Sequence, residues 1–206
     1  MGQLVAEATR LYGQRFWPSL ALGIGPALVG IGVTLVPGLS QLVFVLTAGS
    51  LLLTASYIGA IVLTTGSTLT RRSLLTAVAA GVLAFLPVPF LASVFILPAV
   101  AWLALFGLAV PVAVIEKRGL RGSFGRSLTL ARADPIHAVG GLATLAIVGL
   151  LTSFVLFFVL RGQGEATLAA AAFLSVLVIS PLLFLGASLL YFDQEARVRS
   201  AKPTRR

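Results

Sequence analysis

Charge is scarce in this chain, and cysteine is absent from it. Only 10% of the 206 residues are Asp, Glu, Lys or Arg, whereas soluble domains average about 25%. The lack of cysteine excludes disulfide bonds, thiolate nucleophiles and cysteine-based metal sites. The chain is instead apolar: 58% of its residues are hydrophobic and its mean hydropathy is +1.06. Because soluble monomers rarely expose large apolar patches, this composition predicts an integral membrane protein and excludes a soluble globular or a disordered chain.

Four long stretches contain no acidic or basic residue, and their lengths predict the number of membrane spans. They cover residues 16–70, 73–115, 135–160 and 166–192, which are 55, 43, 26 and 27 residues long. A helix needs about 20 residues to cross the hydrocarbon core of a bilayer. The first two stretches are therefore long enough for two spans each and the others for one. We predict an all-α, polytopic membrane helix bundle with six transmembrane helices, in a single domain covering residues 1–206.

Turn-forming residues divide the two longer stretches. Pro37-Gly38 is a strong turn signal and separates the first two spans. In the second stretch the turn lies either at Pro87-Val88-Pro89 or at Ile96-Leu97-Pro98. We favour the later site, because it gives balanced helices and puts its proline in a first helical turn, with the earlier prolines kinking the third span. The predicted spans are 16–36, 41–65, 73–97, 98–115, 137–160 and 166–192.

Two other interpretations of the apolar stretches are excluded. A transmembrane β-barrel needs segments of about 10 residues that alternate apolar and polar side chains, whereas Leu142–Leu160 is continuously apolar. A signal peptide has an apolar core of about 7–15 residues, whereas the first predicted span, Phe16–Val36, has 21. We therefore expect the first apolar stretch to be a membrane span.

The basic residues are predicted to lie almost entirely on one side of the membrane. With six spans, 14 of the 15 Lys and Arg residues share the side of the two termini, and only Arg161 lies on the other. Cytoplasmic loops carry an excess of Lys and Arg, so we predict both termini in the cytoplasm, in a bacterial-type plasma membrane. These charges line a membrane face without an aromatic platform beside them. We therefore expect contacts with anionic lipid headgroups rather than nucleic acid.

The longest polar segment, Lys117 to Asp134, connects the predicted fourth and fifth helices. At about 100° per residue, its apolar side chains share one face of a helix: Leu120, Phe124, Leu128 and Ala131. Leu130 breaks this pattern. The pattern predicts an interfacial amphipathic helix lying under the bundle, and the alternative is a solvated basic loop. A shorter amphipathic helix is predicted for residues 3–15, with Leu4, Ala8 and Leu11 on one face.

Two motifs resemble a known family. Pro111-Val112-Ala113-Val114-Ile115-Glu116 is followed after ten residues by Ser127, inside Gly125-Arg126-Ser127-Leu128-Thr129-Leu130-Ala131-Arg132. The tail has Leu190-Tyr191-Phe192-Asp193 and then Arg197. These residues resemble the membrane domain of glycerophosphoryl diester phosphodiesterases and related stand-alone bacterial membrane proteins of unknown function. The resemblance implies the membrane architecture alone, because the hydrolase activity of that family belongs to a separate soluble domain that is not among these 206 residues.

The groups that could perform chemistry are few and scattered. The chain has six carboxylates and one histidine, and none of them lies deep in a predicted span. It contains no His-x-x-x-His pair, no Gly-rich phosphate loop and no Gly-x-Ser-x-Gly elbow. We interpret the lone His137 as an interfacial polar residue rather than a metal ligand. We therefore predict a protein that is not an enzyme and has no catalytic residue, metal site or cofactor.

Charged residues beside the connecting segment form the one candidate cluster. Glu116 lies within reach of Arg126 or Arg132 if the segment folds back, and an ion pair that pins the segment to the bundle is favoured over a ligand contact. Asp193 and Arg197 are spaced i, i+4, which favours a second ion pair. The predicted structural or lipid-contact cluster comprises Glu116, Arg118, Arg121, Arg126, Ser127, Arg132, Asp193 and Arg197.

Three functions are compatible with the sequence. The first is a non-enzymatic membrane module that packs with a partner protein or organises lipids. The second is a small permease or lipid-handling transporter, which is suggested by prolines within the spans. A membrane enzyme is the third, and it requires Glu116, His137 and Asp193 to converge in one polar pocket.

Overall fold

The chain folds into helices joined by short connections. The computed structural model describes residues 2–160 and 164–200, and within these ranges every element of regular secondary structure is helical. The segment Val45–Gly49 is π-helical and joins α4 to α5. In chain order the α-helices are α1 (Gly2–Gln14), α2 (Phe16–Leu22), α3 (Ile24–Leu35), α4 (Leu39–Phe44), α5 (Ser50–Thr65), α6 (Arg71–Phe85), α7 (Val88–Val94), α8 (Ile96–Phe106), α9 (Ala109–Ile115), α10 (Leu120–Ala133), α11 (Pro135–Leu160) and α12 (Glu165–Ser200).

Six helical segments of the described chain are long and apolar enough to cross a membrane, which confirms the predicted all-α membrane bundle. We number them spans one to six. They are Phe16–Leu35, Leu39–Thr65, Arg71–Val94, Ile96–Ile115, Pro135–Thr152 and Ala169–Ser200. Large apolar side chains point outwards from them, as expected where lipid replaces water; Leu39, Val94 and Leu151, for example, are 82%, 82% and 59% exposed.

The turn between spans three and four lies two residues before the predicted division. Phe95 is extended (φ −166°, ψ 147°), and span four begins at Ile96 rather than Pro98. The reason is that the first four N–H groups of a helix have no partner within the helix. Pro98, which lacks an N–H, is therefore tolerated anywhere in that first turn, and its position alone does not fix the first residue of the helix.

Breaks and a proline interrupt several spans. Gly23 separates α2 from α3 in span one, Leu86-Pro87 separates α6 from α7 in span three, and Gly107-Leu108 separates α8 from α9 in span four. Pro87 thus interrupts span three, near the kink expected from the sequence. In span six, Pro181 lies inside the continuous helix α12 and removes one backbone N–H donor.

The amphipathic N-terminal helix has the predicted buried face. In α1, Ala8 is fully buried, and Leu4 and Leu11 are half-buried. The helix packs along α12, near the end of span six. Helix α1 thus lies against the bundle rather than crossing the membrane.

The segment that connects spans four and five is the helix α10 and not a solvated loop, but its buried face only partly matches the predicted one. The buried residues are Ser123, Ser127, Leu130 and Ala131. Leu120 is 37% exposed, whereas Leu130 is fully buried. The reason is close packing of α10 on α8, α9 and α12, where small serines let the backbones approach. Ser127 also donates a hydrogen bond from Oγ to the Leu105 carbonyl oxygen at 2.6 Å.

Candidate functional site

Glu116 ties together three parts of the chain at one end of the bundle. It follows α9, and its carboxylate accepts hydrogen bonds from Nε of Arg118 at 2.5 Å, Nε of Arg126 at 3.2 Å and Oη of Tyr191 at 3.0 Å. Arg126 belongs to α10 and Tyr191 to span six. The structure therefore contains an ion pair that holds the connecting helix to the bundle, with a tyrosine as a further partner.

The Glu116 carboxylate is stabilised in its charged form. Burial raises its pKa, but the hydrogen bonds from Tyr191, Arg126 and Arg118 outweigh burial and hold that pKa below its ordinary value. A general base works best when its pKa lies near the operating pH. Glu116 is shifted in the opposite direction and both of its oxygens are engaged, which favours a structural role.

A second polar network joins the start of α11 to the end of span six. Asp134 accepts hydrogen bonds from the His137 backbone N–H at 3.1 Å and from Arg197 Nη1 at 3.0 Å, and its Oδ2 lies 2.8 Å from His137 Nδ1. Arg197 Nε also donates to Asp193 at 3.0 Å. The backbone hydrogen bond from His137 is the largest influence that lowers the pKa of Asp134. This network is an N-cap of α11 reinforced by an ion pair across the bundle.

The structure divides the predicted cluster between these networks. Glu116, Arg118 and Arg126 meet in the first network, and Asp193 and Arg197 meet in the second. Ser127 lies on the buried face of α10. Arg121 and Arg132 lie exposed on α10. Four of the basic residues on which the orientation prediction depends lie outside the described residues: Arg161, Lys202, Arg205 and Arg206.

The three residues whose convergence would indicate an enzyme belong to different networks. Glu116 bonds to Tyr191 and the two arginines, whereas His137 and Asp193 are linked through Asp134 and Arg197. Within residues 2–160 and 164–200, no group of three or more His, Asp or Glu side chains is placed to hold a metal ion. The hydrogen bonds and ion pairs of both networks can hold the ends of helices in place at one end of the bundle.

The predicted cluster omits two contributors to these networks, Tyr191 and Asp134. Tyr191 is 1% exposed and acts as a buried donor to Glu116, although its position suggests only an aromatic residue at the membrane interface. Asp134 could have been found, because an Asp directly before a proline is the signature of an N-cap followed by the first residue of a helix. Local spacing in the sequence therefore gives no sign of the Tyr191 contact, whereas it does indicate the Asp134 N-cap.

A groove on the outside of the bundle has a cation at its mouth. The groove lies between α2, α5 and α6 and has a volume of about 710 Å³. Its apolar lining includes Pro18, Leu22, Ile58, Val62 and Leu74. Arg15, which directly precedes α2, also lines it and donates from Nη1 to the Leu63 carbonyl oxygen at 3.1 Å. The result is an apolar trough with a guanidinium at one end.

Comparisons with protein-family models, curated proteins and solved structures found no match to this chain. The structure places charge beside apolar surface: an arginine lines the groove, and exposed arginines lie on α10, which packs under the bundle. This arrangement suits a molecule that is anionic at one end and apolar at the other.

Proposed function

We propose that the chain is a non-enzymatic membrane module that organises lipids by holding anionic headgroups at the basic end of its bundle. Packing with a partner protein on the same face is the other form of this hypothesis. The proposal also places this end of the bundle, with both termini, at the cytoplasmic face of a bacterial-type plasma membrane. The observation that carries the proposal is Arg15 at the mouth of the apolar groove.

The groove and Arg15 match the two halves of a phospholipid. A guanidinium has five N–H donors, and the bond to Leu63 uses one of them. The others can bind phosphate oxygens in the paired geometry that arginine favours. The apolar walls below Arg15 provide contact for an acyl chain. A phospholipid with its headgroup at Arg15 and an acyl chain in the groove contacts both the cation and the apolar walls.

Further cations lie at the start of helix α6, which forms one wall of the groove. Arg71 and Arg72 begin this helix and are exposed, and the next turns contribute Leu74 and Val78 to the lining. Each basic residue near an anionic membrane surface contributes about 1 kcal/mol of attraction. The groove therefore favours an anionic over a zwitterionic lipid.

The non-enzymatic part of the proposal is supported by the state of the carboxylates. Glu116, Asp134, Asp193 and Glu195 each accept a hydrogen bond from an arginine. For Glu116 the hydrogen bonds outweigh burial and lower the pKa, and the backbone hydrogen bond from His137 is the main cause of the lowered pKa of Asp134, whereas a catalytic acid needs a raised pKa. Their geometry fits the fixing of helix ends rather than the transfer of protons.

The test is native mass spectrometry of the protein reconstituted in an equal mixture of phosphatidylglycerol and phosphatidylethanolamine. We expect phosphatidylglycerol adducts to dominate, and Arg15→Gln to weaken them about fivefold, from the loss of roughly 1 kcal/mol. Arg199→Gln is the matched control, because Arg199 is paired with Glu195 at the end of α12 and does not line the groove. Equal adducts of both lipids, or recovery of a stoichiometric protein partner without lipid, would contradict the lipid form of the proposal.

A small permease or lipid-handling transporter is the second candidate. The observation that favours it is the set of interrupted spans, with breaks at Gly23, Pro87 and Gly107 and a proline within α12. Transporters build substrate sites from discontinuous helices. Reconstituted protein should then move a solute or flip a labelled lipid across a liposome membrane. A protein that moves nothing across a broad panel of solutes and lipids excludes this candidate.

We also propose kinship with the membrane domain of glycerophosphoryl diester phosphodiesterases. The support is that residues quoted for the resemblance contact one another: Glu116 accepts hydrogen bonds from Arg126 and Tyr191. These three residues meet in one network that holds α10 against the bundle, and this structural role explains why they occur together in the motif. The proposed kinship concerns this architecture and carries no hydrolase activity with it.

A further inference from the structure

The groove that carries Arg15 has the length of one acyl chain in a single leaflet. Its lining follows one face of α5 from Ala55 to Gly66, which directly follows that helix. An α-helix rises about 1.5 Å per residue, so this stripe is about 16 Å long. The whole hydrocarbon core of a bilayer is about 30 Å thick. The groove therefore extends from the end of span two to about the middle of the membrane, which suits a lipid tail.

Arg71 is a second cation at the same end of this groove. At about 100° per residue, it shares one face of α6 with Leu74 and Val78, and both of these residues line the groove. Arg71 begins α6 and is exposed. Arg15 reaches the last turn of α5, where it donates to the Leu63 carbonyl oxygen. The two arginines thus belong to different walls of the groove at the end where α5 stops and α6 starts.

Neither of these guanidinium groups is neutralised by a carboxylate in the described part of the chain. The arginines that form ion pairs there are Arg118, Arg126, Arg197 and Arg199. The residues that line the groove include no Asp or Glu. Arg15 and Arg71 are therefore both available to bind an anion. Two unneutralised cations beside one apolar groove favour a lipid that carries two anionic groups.

We propose that the groove binds a phospholipid with two phosphate groups, one at Arg15 and the other at Arg71, with one acyl chain along α5. This inference rests on the proposed lipid role of the groove and narrows its ligand from anionic phospholipids in general to those with two phosphates. A single phosphate held by Arg15 leaves Arg71 without a partner. A second phosphate on the same molecule reaches Arg71 at high effective concentration and adds paired hydrogen bonds there.

The test is native mass spectrometry of the full chain with diphosphatidylglycerol and phosphatidylglycerol in competition, in a molar ratio of 1:2 so that total phosphate is equal. We expect diphosphatidylglycerol to bind about fivefold more tightly per phosphate, which is the contribution of one further basic residue. Arg71→Gln should abolish this preference. Arg71 is exposed at the start of α6, so we expect the variant to fold.

Arg72→Gln is the matched control. Arg72 carries the same charge and is also exposed, but it lies about 100° further round α6, away from the face of Leu74 and Val78. This variant should retain the preference for diphosphatidylglycerol. An equal loss of preference in Arg71→Gln and Arg72→Gln would show that net charge alone causes it, and would overturn the proposal.

Phosphatidic acid separates the number of phosphates from the amount of charge. Its phosphomonoester concentrates nearly two negative charges on one phosphate, so it should bind more weakly than diphosphatidylglycerol. Equal binding of these two lipids would overturn the proposal.

Failure of this inference is distinguishable from failure of the proposed function. If diphosphatidylglycerol and phosphatidylglycerol bind equally per phosphate and both exceed phosphatidylethanolamine, the two-phosphate site is overturned while the general anionic-lipid role stands. If neither exceeds phosphatidylethanolamine, both proposals are overturned.

Discussion

Two buried tyrosine hydroxyl groups in this protein have opposite environments. Tyr191 donates to the Glu116 carboxylate at 3.0 Å, whereas the Tyr12 hydroxyl has no hydrogen-bond partner among the described residues. A hydrogen bond to a charged group contributes about 1.5–3 kcal/mol. We therefore expect Tyr191→Phe to lower the free energy of unfolding by about 2 kcal/mol, measured by denaturant titration in mixed micelles.

Tyr12→Phe is the matched control for this substitution. It removes an oxygen that bonds to nothing in the described part of the chain, so the free energy of unfolding should stay the same or rise. Equal losses from the two substitutions would mean that the Glu116 network contributes no more than ordinary packing.

The Glu116 network also makes stability depend on pH in a defined direction. Its hydrogen bonds lower the pKa of Glu116 from an ordinary value of about 4.5. A carboxyl whose pKa is lower in the folded state contributes stability that is complete above the unfolded value and is lost as the pH falls through the folded value. We expect unfolding to become easier as the pH is lowered below about 4.5. Glu116→Gln should reduce that dependence; an unchanged pH profile in this variant would contradict the assignment.

The sequence predicts charged pairs within one helix better than contacts between helices. Asp193 and Arg197 are four residues apart on α12, so helical geometry alone brings them together. The Glu116–Arg126 pair could be predicted because the intervening segment is short. Tyr191 could not be connected to Glu116 by local spacing, since 75 residues separate them and the contact depends on how spans four and six pack.

At the scale of the helical elements, the break in span one packs against the turn of span six that precedes its proline. Pro181 has no backbone N–H to offer the Leu177 carbonyl four residues earlier. That carbonyl oxygen lies against Gly23, so close that a Cβ there would overlap it. We expect Gly23→Ala to destabilise the fold by about 1–3 kcal/mol, the usual range for overpacking, with unfolding in detergent as the measurement.

Gly30→Ala provides the comparison on the same span. Gly30 lies in α3, and a Cβ there would meet no atom within 4 Å, while alanine is the better helix former. This variant should be neutral or slightly more stable. A loss in Gly30→Ala as large as that in Gly23→Ala would attribute both effects to backbone changes within span one and not to its contact with α12.

The connecting helix shows what an apolar pattern can and cannot predict about an element. The pattern correctly predicts a helix, but only Ala131 of the face it assigns (Leu120, Phe124, Leu128 and Ala131) is fully buried. Ser123, Ser127 and Leu130, which the pattern leaves out, are buried as well. Hydrophobicity is a poor guide beside a membrane, because large apolar side chains are also stable when they face lipid. Small residues, which let helices approach closely, indicate the packed face better.

At the scale of the whole molecule, the number of spans follows from the sequence because the thickness of the bilayer fixes the length of a crossing helix. Stretches without charge therefore give the number of spans directly. The breaks at Gly23 and Gly107 do not follow in the same way. Each depends on the space that other spans leave, and that information is distributed over the fold.

The orientation of the molecule gives a prediction for both ends of the bundle at once. Since the chain has no cysteine, single exposed cysteines can report the side on which they lie. We expect Thr68→Cys and Ser200→Cys to react with an impermeant maleimide only after the membrane is opened, and Ser40→Cys and Ser93→Cys to react in intact cells. All four residues are exposed, and the first two lie on the side that the basic residues assign to the cytoplasm. Reaction of Ser200→Cys in intact cells would reverse the orientation, and reaction of Ser40→Cys and Thr68→Cys from the same side would contradict the crossing of span two between them.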